Sequence, residues 1–264
     1  MWALGTSGLE IFEPSPDRIE VDVYFPASRV PGFEAELSAS KASELARLLS
    51  RDRVSDRDWM ESYRKQATPF RLGRGFEVHP GEPDSIGFPS HTELRALRIP
   101  ARTAFGTGSH ASTVLVAELL ESLEVAGTTV LDVGTGTGIL GFVALCLGAG
   151  SVVALDTDPV AAIAAHENAT LNRLSMRIFV GRADSIRMAR KFDLLLVNIV
   201  PQSVISDLGT LADLLSDRGT AIFSGILVEV QAWFKRKLEK VGLEVVGSRT
   251  REEWCALQVE SARR

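Results

Sequence analysis

From residue 128 to the C-terminus, short apolar runs alternate with amphipathic stretches of helical length. The pattern predicts strands at 128–132, 151–156, 177–180, 192–197, 219–224, 243–249 and 254–260, with helices between them. Short apolar strands interleaved with helical periods are the signature of an α/β fold, a parallel sheet with helical crossovers. One helix, Val160–Leu171, carries its own start signals: Pro159 suits the first helical position and Asp158 the N-cap. Only Thr250-Arg251-Glu252-Glu253 separates the last two strands, too short for a crossover, so these two are expected to be antiparallel.

The first 55 residues read differently. Gly8–Glu13 and Ile19–Phe25 look like two strands with Ser15-Pro16-Asp17 turning between them, and residues 38–50 are apolar at 42, 45, 46, 48 and 49, a helical spacing. So small an α+β piece builds no strong core alone and is expected to pack on a neighbour or to present a surface. Asp56–Ala67, with Trp59, Met60 and Tyr63 on one face, reads as a connecting helix; Gly and Pro clusters separate short strands across 68–105. The expected division is a small N-terminal α+β domain at 1–55, a linker helix at 56–67 and a larger domain at 68–264.

The candidate chemistry begins at Leu131-Asp132-Val133-Gly134-Thr135-Gly136-Thr137-Gly138-Ile139-Leu140, where a buried strand turns into the helix Ile139–Leu147. Glycines there let the backbone turn sharply and meet a ligand with no side chain between. Twenty-two residues after Gly134, the strand Val152-Val153-Ala154-Leu155 ends in Asp156, a carboxylate placed to accept both hydroxyls of a ribose. The spacing is G-x-G-x-G rather than the G-x-G-x-x-G of dinucleotide folds, and no Lys follows as a P-loop requires. Asp132 would repel a pyrophosphate but suits the cationic amino group of a methionine moiety. D-x-G-x-G-x-G followed by an acidic strand end is similar to the S-adenosylmethionine site of class I methyltransferases, in which Gly134 and Gly136 bring backbone amides to the methionine end and Asp156 takes the ribose.

Composition narrows the rest. At 264 residues, 45% hydrophobic and 24% charged, the chain can bury a sizeable core. A net charge of −5 argues against nonspecific nucleic-acid binding, and no apolar run reaches the roughly 18–20 residues of a membrane span. The N-terminus lacks signal-peptide features. Cys146 and Cys255 form no C-x-x-C and have no His at ligand spacing, which points to buried, reduced thiols in a cytoplasmic protein. Four scattered histidines make no metal site, so no metal is expected.

Ala104-Phe105-Gly106-Thr107-Gly108-Ser109-His110-Ala111-Ser112-Thr113, Leu195-Leu196-Val197-Asn198-Ile199, Asp58-Trp59-Met60 and Glu253-Trp254-Cys255 together resemble the PrmA-type ribosomal protein methyltransferases, which modify the large-subunit ribosomal protein eleven. Leu4-Gly5-Thr6-Ser7-Gly8-Leu9-Glu10 is similar to part of that family's substrate-recognition domain, though residues 1–55 read as a shortened version of it. His110-Ala111-Ser112-Thr113 keeps only the last Thr of the usual His-Pro-Thr-Thr, and Pro100-Ala101-Arg102-Thr103 replaces the acidic-Pro-Gly lead. The resemblance implies a class I S-adenosylmethionine-dependent methyltransferase with a Rossmann-like seven-stranded sheet, cofactor contact by Thr113, and a mobile loop of Phe105, Gly106 and Gly108 over the cofactor.

Asn198 is the catalytic candidate, and a second cofactor contact. A free lysine is neutral less than about one part in a thousand at pH 7, so the amine must be desolvated and then aimed. An amide oxygen aims its lone pair without a carboxylate's charge, which would hold the amine protonated. Asn198-Ile199-Val200-Pro201 is similar to a shortened Asn-Pro-Pro-Tyr motif of amino-group methyltransferases. The plainer reading of Asn198 is a cap for the next helix, that of Asp156 a helix N-cap, and that of Thr113 a first-turn hydroxyl. His110 reads as a helix-start residue or a substrate contact, Trp254 as core or channel wall, and Asp184 as an adenine partner or a surface carboxylate. The expected function is methylation of lysine ε-amino or N-terminal α-amino groups of ribosomal protein eleven, a protein substrate, with neither nucleic acid nor membrane as direct partner. The alternatives are a lysine methyltransferase of the electron-transfer flavoprotein β-subunit type, or a non-catalytic S-adenosylmethionine-binding protein.

Overall fold

A computed structural model describes residues 8–15, 18–24, 68–81, 94–100, 108–186 and 191–262. The chain divides into two compact units, residues 1–54 and 55–264. In the first, β1 (Gly8–Ser15) pairs antiparallel with β2 (Arg18–Tyr24), the hairpin expected around Pro16-Asp17. The helices expected at 38–50 and 56–67 lie outside the described residues.

The second unit holds two sheets. In the smaller, β3 (Phe70–Leu72) runs antiparallel to β4 (Phe76–His79), which runs parallel to β5 (Arg95–Arg98). The larger contains β6 (Thr129–Val133), β7 (Ser151–Asp156), β8 (Arg177–Val180), β9 (Phe192–Asn198), β10 (Leu215–Leu227), β11 (Leu243–Arg251) and β12 (Trp254–Ser261). Their spatial order is β8-β7-β6-β9-β10-β12-β11. The five strands from β8 to β10 are parallel, and β12 is antiparallel to both its neighbours, as the short 250–253 connection requires.

Helices cover both faces, so the central strands are apolar on both. Val130 points into a core built with α1 (Ala111–Leu120), α2 (Ile139–Cys146) and the small sheet, through Leu115, Phe142, Leu72 and Leu97. Leu131 and Val133 point the other way, towards α4 (Pro201–Val204), α5 (Leu208–Leu214) and α6 (Gln231–Glu239), through Val204, Leu211 and Phe234. The remaining α-helix among the described residues, α3 (Pro159–Asn172), has Asp158 as N-cap, its side chain accepting from Val160 N at 2.9 Å.

One strand is longer than its pattern suggested. The strand expected at 219–224 starts four residues earlier, where Leu215 pairs with Phe192, and its pairing with β9 is taken up again at Thr220. At its far end two residues, Ser224 and Gly225, stand between Phe223, paired with Leu257, and Ile226, paired with Cys255. Two residues facing one is a β-bulge, which bends the strand without ending it.

Winding out from β6 through β7 to β8, and then back through β9 to β10, the chain reverses between β6 and β9. In open α/β sheets the crevice at such a reversal, beyond the carboxyl ends of the strands, is where ligands bind. Asp132, Asp156 and Asn198 all lie at that edge.

Candidate active site

The glycine loop is built for close approach. Gly134, Gly136 and Gly138 take φ of +68°, +55° and +88°, the left-handed region that costs other residues about 1–2 kcal/mol. A Cβ on Gly134 would lie 2.6 Å from Ile199 Cδ1, and one on Gly138 2.6 Å from Phe142 Cζ. The amides of this loop are committed inside the protein. Gly134 N and Thr135 N donate to the Leu155 carbonyl at 2.8 and 3.0 Å, and Gly136 N donates to Asp156 Oδ2 at 2.9 Å. Gly134 and Gly136, the glycines expected at the methionine end, thus have intramolecular acceptors for their amides, and both leave the loop surface without a side chain.

Asp132, expected beside an amino group, is held inside the protein. It is 1% exposed, and its Oδ2 accepts from Thr135 Oγ1 at 2.6 Å and from Gly141 N at 3.2 Å. Since α2 starts at Gly138 with no side-chain cap of its own, Asp132 reaches across to satisfy an orphan amide of its first turn. Burial pushes the carboxyl up to about 6, against the lowering effect of both hydrogen bonds, with a further upward push from Asp156.

At the end of β7, half-buried Asp156 accepts from Gly136 N through one oxygen and from Asp158 N, at 3.0 Å, through the other. The α3 N-cap is Asp158, so Asp156 is not that cap. Each of its oxygens keeps a second lone pair for a hydroxyl partner.

Asn198 ends β9 across the crevice from Asp132. Its Nδ2 donates to Thr113 Oγ1 at 3.2 Å, joining β9 to the first turn of α1. Its Oδ1 is buried and accepts from no group among the described residues. A buried amide oxygen without a donor is costly, so one in native structure calls for a partner. The helix-cap reading does not hold, since α4 starts after Val200 with no side-chain cap. Thr113 is 2% exposed and is more than a first-turn hydroxyl, because it fixes the Asn198 amide.

His110 is the N-cap of α1: its Nδ1 accepts from Ser112 N at 3.3 Å and lies 2.8 Å from Ser112 Oγ. It meets Trp254 edge to face, ring centroids 4.7 Å apart. Both line a groove of about 700 Å³ that also takes in Phe70, Glu118 and Arg251. Asp184 is exposed beyond β8. Phe105 lies outside the described residues. Cys146 and Cys255 are free thiols, but only Cys255 is buried; its thiol is pushed up to about 11 by burial, while Cys146 is half-buried, so the expectation of two buried thiols holds for one. Among the described residues, no group of three His, Cys, Asp or Glu is placed to hold a metal, and no helix is long and apolar enough to cross a membrane.

Two residues that motif reading missed also shape the site. Fully buried Asn168 on α3 donates from Nδ2 to the Thr137 carbonyl at 3.0 Å, holding the glycine loop from behind. Ser224, 1% exposed, places its hydroxyl 3.1 Å from the Ser112 carbonyl and 3.2 Å from the Cys255 carbonyl. Neither belongs to a recognisable motif; for Ser224 a polar residue inside an apolar run was the available signal, and for Asn168, among polar neighbours on its helix, there was none.

With its seven strands numbered in chain order, the large sheet runs 3-2-1-4-5-7-6, and the residues suited to a nucleoside and an amine flank its reversal. The chain is a class I S-adenosylmethionine-dependent methyltransferase. The family described as ribosomal protein L11 methyltransferase (PrmA) matches residues 9–262, and the chain belongs to it. The ribosomal protein L11 methyltransferase of Synechococcus elongatus is 32% identical over 277 residues, covering 97% of this chain and 90% of that protein. That of Pelotomaculum thermopropionicum is 34% identical over 242 residues, covering 89% and 77%. Among solved structures, the crystal structure of ribosomal protein L11 methylase from Lactobacillus delbrueckii subsp. bulgaricus superposes with a TM-score of 0.67 at 28% identity, covering 74% of this chain and 99% of that one.

Proposed function

We propose that this chain transfers methyl groups from S-adenosylmethionine to lysine ε-amino or N-terminal α-amino groups of ribosomal protein L11, in the cytoplasm. The observation that carries the reading is the unpartnered, buried Asn198 Oδ1, held in place by Thr113. An amine is the donor this oxygen lacks, and a neutral amide lets that amine give up its extra proton where a carboxylate would retain it.

S-adenosylmethionine supplies a methyl group on a positively charged sulfonium. The residues present fit such a group: Asp156 for the ribose hydroxyls, the side-chain-free surface of Gly134 and Gly136 for close approach, and Asn198 with Thr113 at the methyl end. Phe105 stands as a further cofactor contact on the family resemblance. With the cofactor bound, its sulfonium would supply the methyl group and keep the electron pair of the broken C–S bond, while Asn198 Oδ1, held by Thr113, would accept from the amine N–H and leave the nitrogen lone pair free to receive the methyl group. What the protein contributes is proximity and orientation, by which well-placed groups gain about 7–11 kcal/mol of the barrier in model reactions. We assign substrate recognition to residues 1–55, with 56–67 as linker helix and 68–264 as the methyltransferase domain.

The test is methyl transfer from labelled S-adenosylmethionine to purified large-subunit ribosomal proteins, resolved by mass. Label on L11 supports the substrate assignment; label confined to another protein removes L11 and keeps the chemistry; cofactor binding with no transfer to any protein amine overturns the catalytic reading. Asn198→Ala is expected to lower kcat at least about 100-fold, the scale of losing an oriented group in the transition state.

A further inference from the structure

The Ser224–Gly225 bulge lies against the catalytic contact on two sides. In the parallel register of β9 with β10, Ser224 stands opposite Asn198. Its hydroxyl carries one proton and sits within reach of two carbonyls, that of Ser112 at 3.1 Å and that of Cys255 at 3.2 Å. Ser112 directly precedes Thr113 in the first turn of α1, and Cys255 directly follows Trp254. Gly225, with φ at +76°, lies so close to the next strand that a Cβ would be 3.0 Å from the Ile199 carbonyl carbon and 3.3 Å from Asn198 Oδ1.

A regular strand would not do this. Successive side chains alternate between faces, and the extra residue of a bulge re-aims the side chains beside it. Here two residues stand opposite Ala256, so the hydroxyl meets the start of α1 while the next residue passes Asn198 without a side chain. Thr113 and Asn198 come from elements 85 residues apart, and their 3.2 Å hydrogen bond is the tie between them at this point. We infer that the Ser224–Gly225 bulge is a positioning device for methyl transfer: Ser224 holds the Ser112–Thr113 turn at the distance that lets Thr113 orient the Asn198 amide, and Gly225 lets the strand pass the Asn198 oxygen without setting a side chain against it. It rests on the reading of Asn198 and Thr113 given above.

The test is a cycle of Ser224→Ala, Thr113→Ala and the double variant, with kcat and KM for the protein substrate measured on full-length protein beside Asn198→Ala. Ser224→Ala is expected to lower kcat about tenfold with KM changed less than twofold, and to change kcat less than twofold once Thr113 is already Ala. Ser224→Cys, of similar size with a weaker donor, is expected to fall between wild type and Ala, and keeps the test open where Ala fails to fold. Losses that multiply in the double variant, or a Ser224→Ala or Ser224→Cys protein with wild-type kcat, would overturn the inference while a dead Asn198→Ala keeps the active-site reading. A fully active Asn198→Ala would remove both.

Discussion

At the residue scale, Asp132 makes the sharpest prediction. Its carboxyl stands near 6 because burial and the neighbouring Asp156 outweigh the donors it receives from Thr135 and Gly141. S-adenosylmethionine carries sulfonium and ammonium charges that favour the ionised carboxylate, so binding lowers this value, and by linkage the cofactor binds more tightly to the ionised form. Affinity is therefore expected to hold above pH 7 and to fall as pH drops through 6. Calorimetric titrations at pH 6, in buffers of different ionisation enthalpy, should show release of up to about half a proton per cofactor bound. In Asp132→Asn that release disappears; its persistence would assign the proton to another group. Gly134→Ala tests the loop itself. The new methyl group enters a backbone at φ +68° and lies 2.6 Å from Ile199 Cδ1, beside Asn198, so at least a tenfold loss of cofactor affinity is expected with the fold retained.

Individual elements depend on contacts their own sequences do not announce. The turn between β3 and β4 encloses the carboxylate of Glu121, at the end of α1. Arg74 N donates to both its oxygens, at 2.9 and 2.8 Å, and Gly75 N to one, at 2.6 Å. This side chain is only 7% exposed, so Glu121→Ala leaves two amides without their acceptor and is expected to cost about 1–3 kcal/mol. Urea unfolding should show a lower midpoint at constant slope, with cofactor affinity changed less than twofold. That clamp was illegible because its partners are backbone amides 46 and 47 residues upstream, which no local pattern marks. The parallel strands and the glycine loop were legible for the opposite reason: apolar period, the Pro159 and Asp158 start signal and the Gly134–Asp156 spacing are all local. Ser224 fell between these cases. Within an apolar strand it reads as a small tolerated residue, and only the bulge, set by pairing with β12, turns its hydroxyl towards α1.

For the whole molecule, sheet order decides what the site can be. Asp132 and Asp156 arrive on adjacent strands on one side of the reversal, and Asn198 arrives on the other, so under the proposed roles the ribose end and the amine end fall to opposite halves of one sheet. A ligand spanning that gap stabilises the folded state by an amount that grows with the logarithm of its concentration over its dissociation constant, whichever half binds it more strongly. At a cofactor concentration 100 times the dissociation constant the gain is about 2.7 kcal/mol, and for a unit the size of residues 55–264 that raises the unfolding midpoint by about 5–10 °C. Asp156→Ala removes the acceptor for the ribose and the tether on Gly136 and Asp158 together, so at the same cofactor concentration the shift should fall below about 2 °C. Asn198→Ala should keep most of the shift while losing turnover if, as proposed, its unpartnered oxygen serves the amine. Loss of the shift in Asn198→Ala, with Asp156→Ala unaffected, would place the affinity on the wrong side of the reversal and refute this division of labour across the sheet.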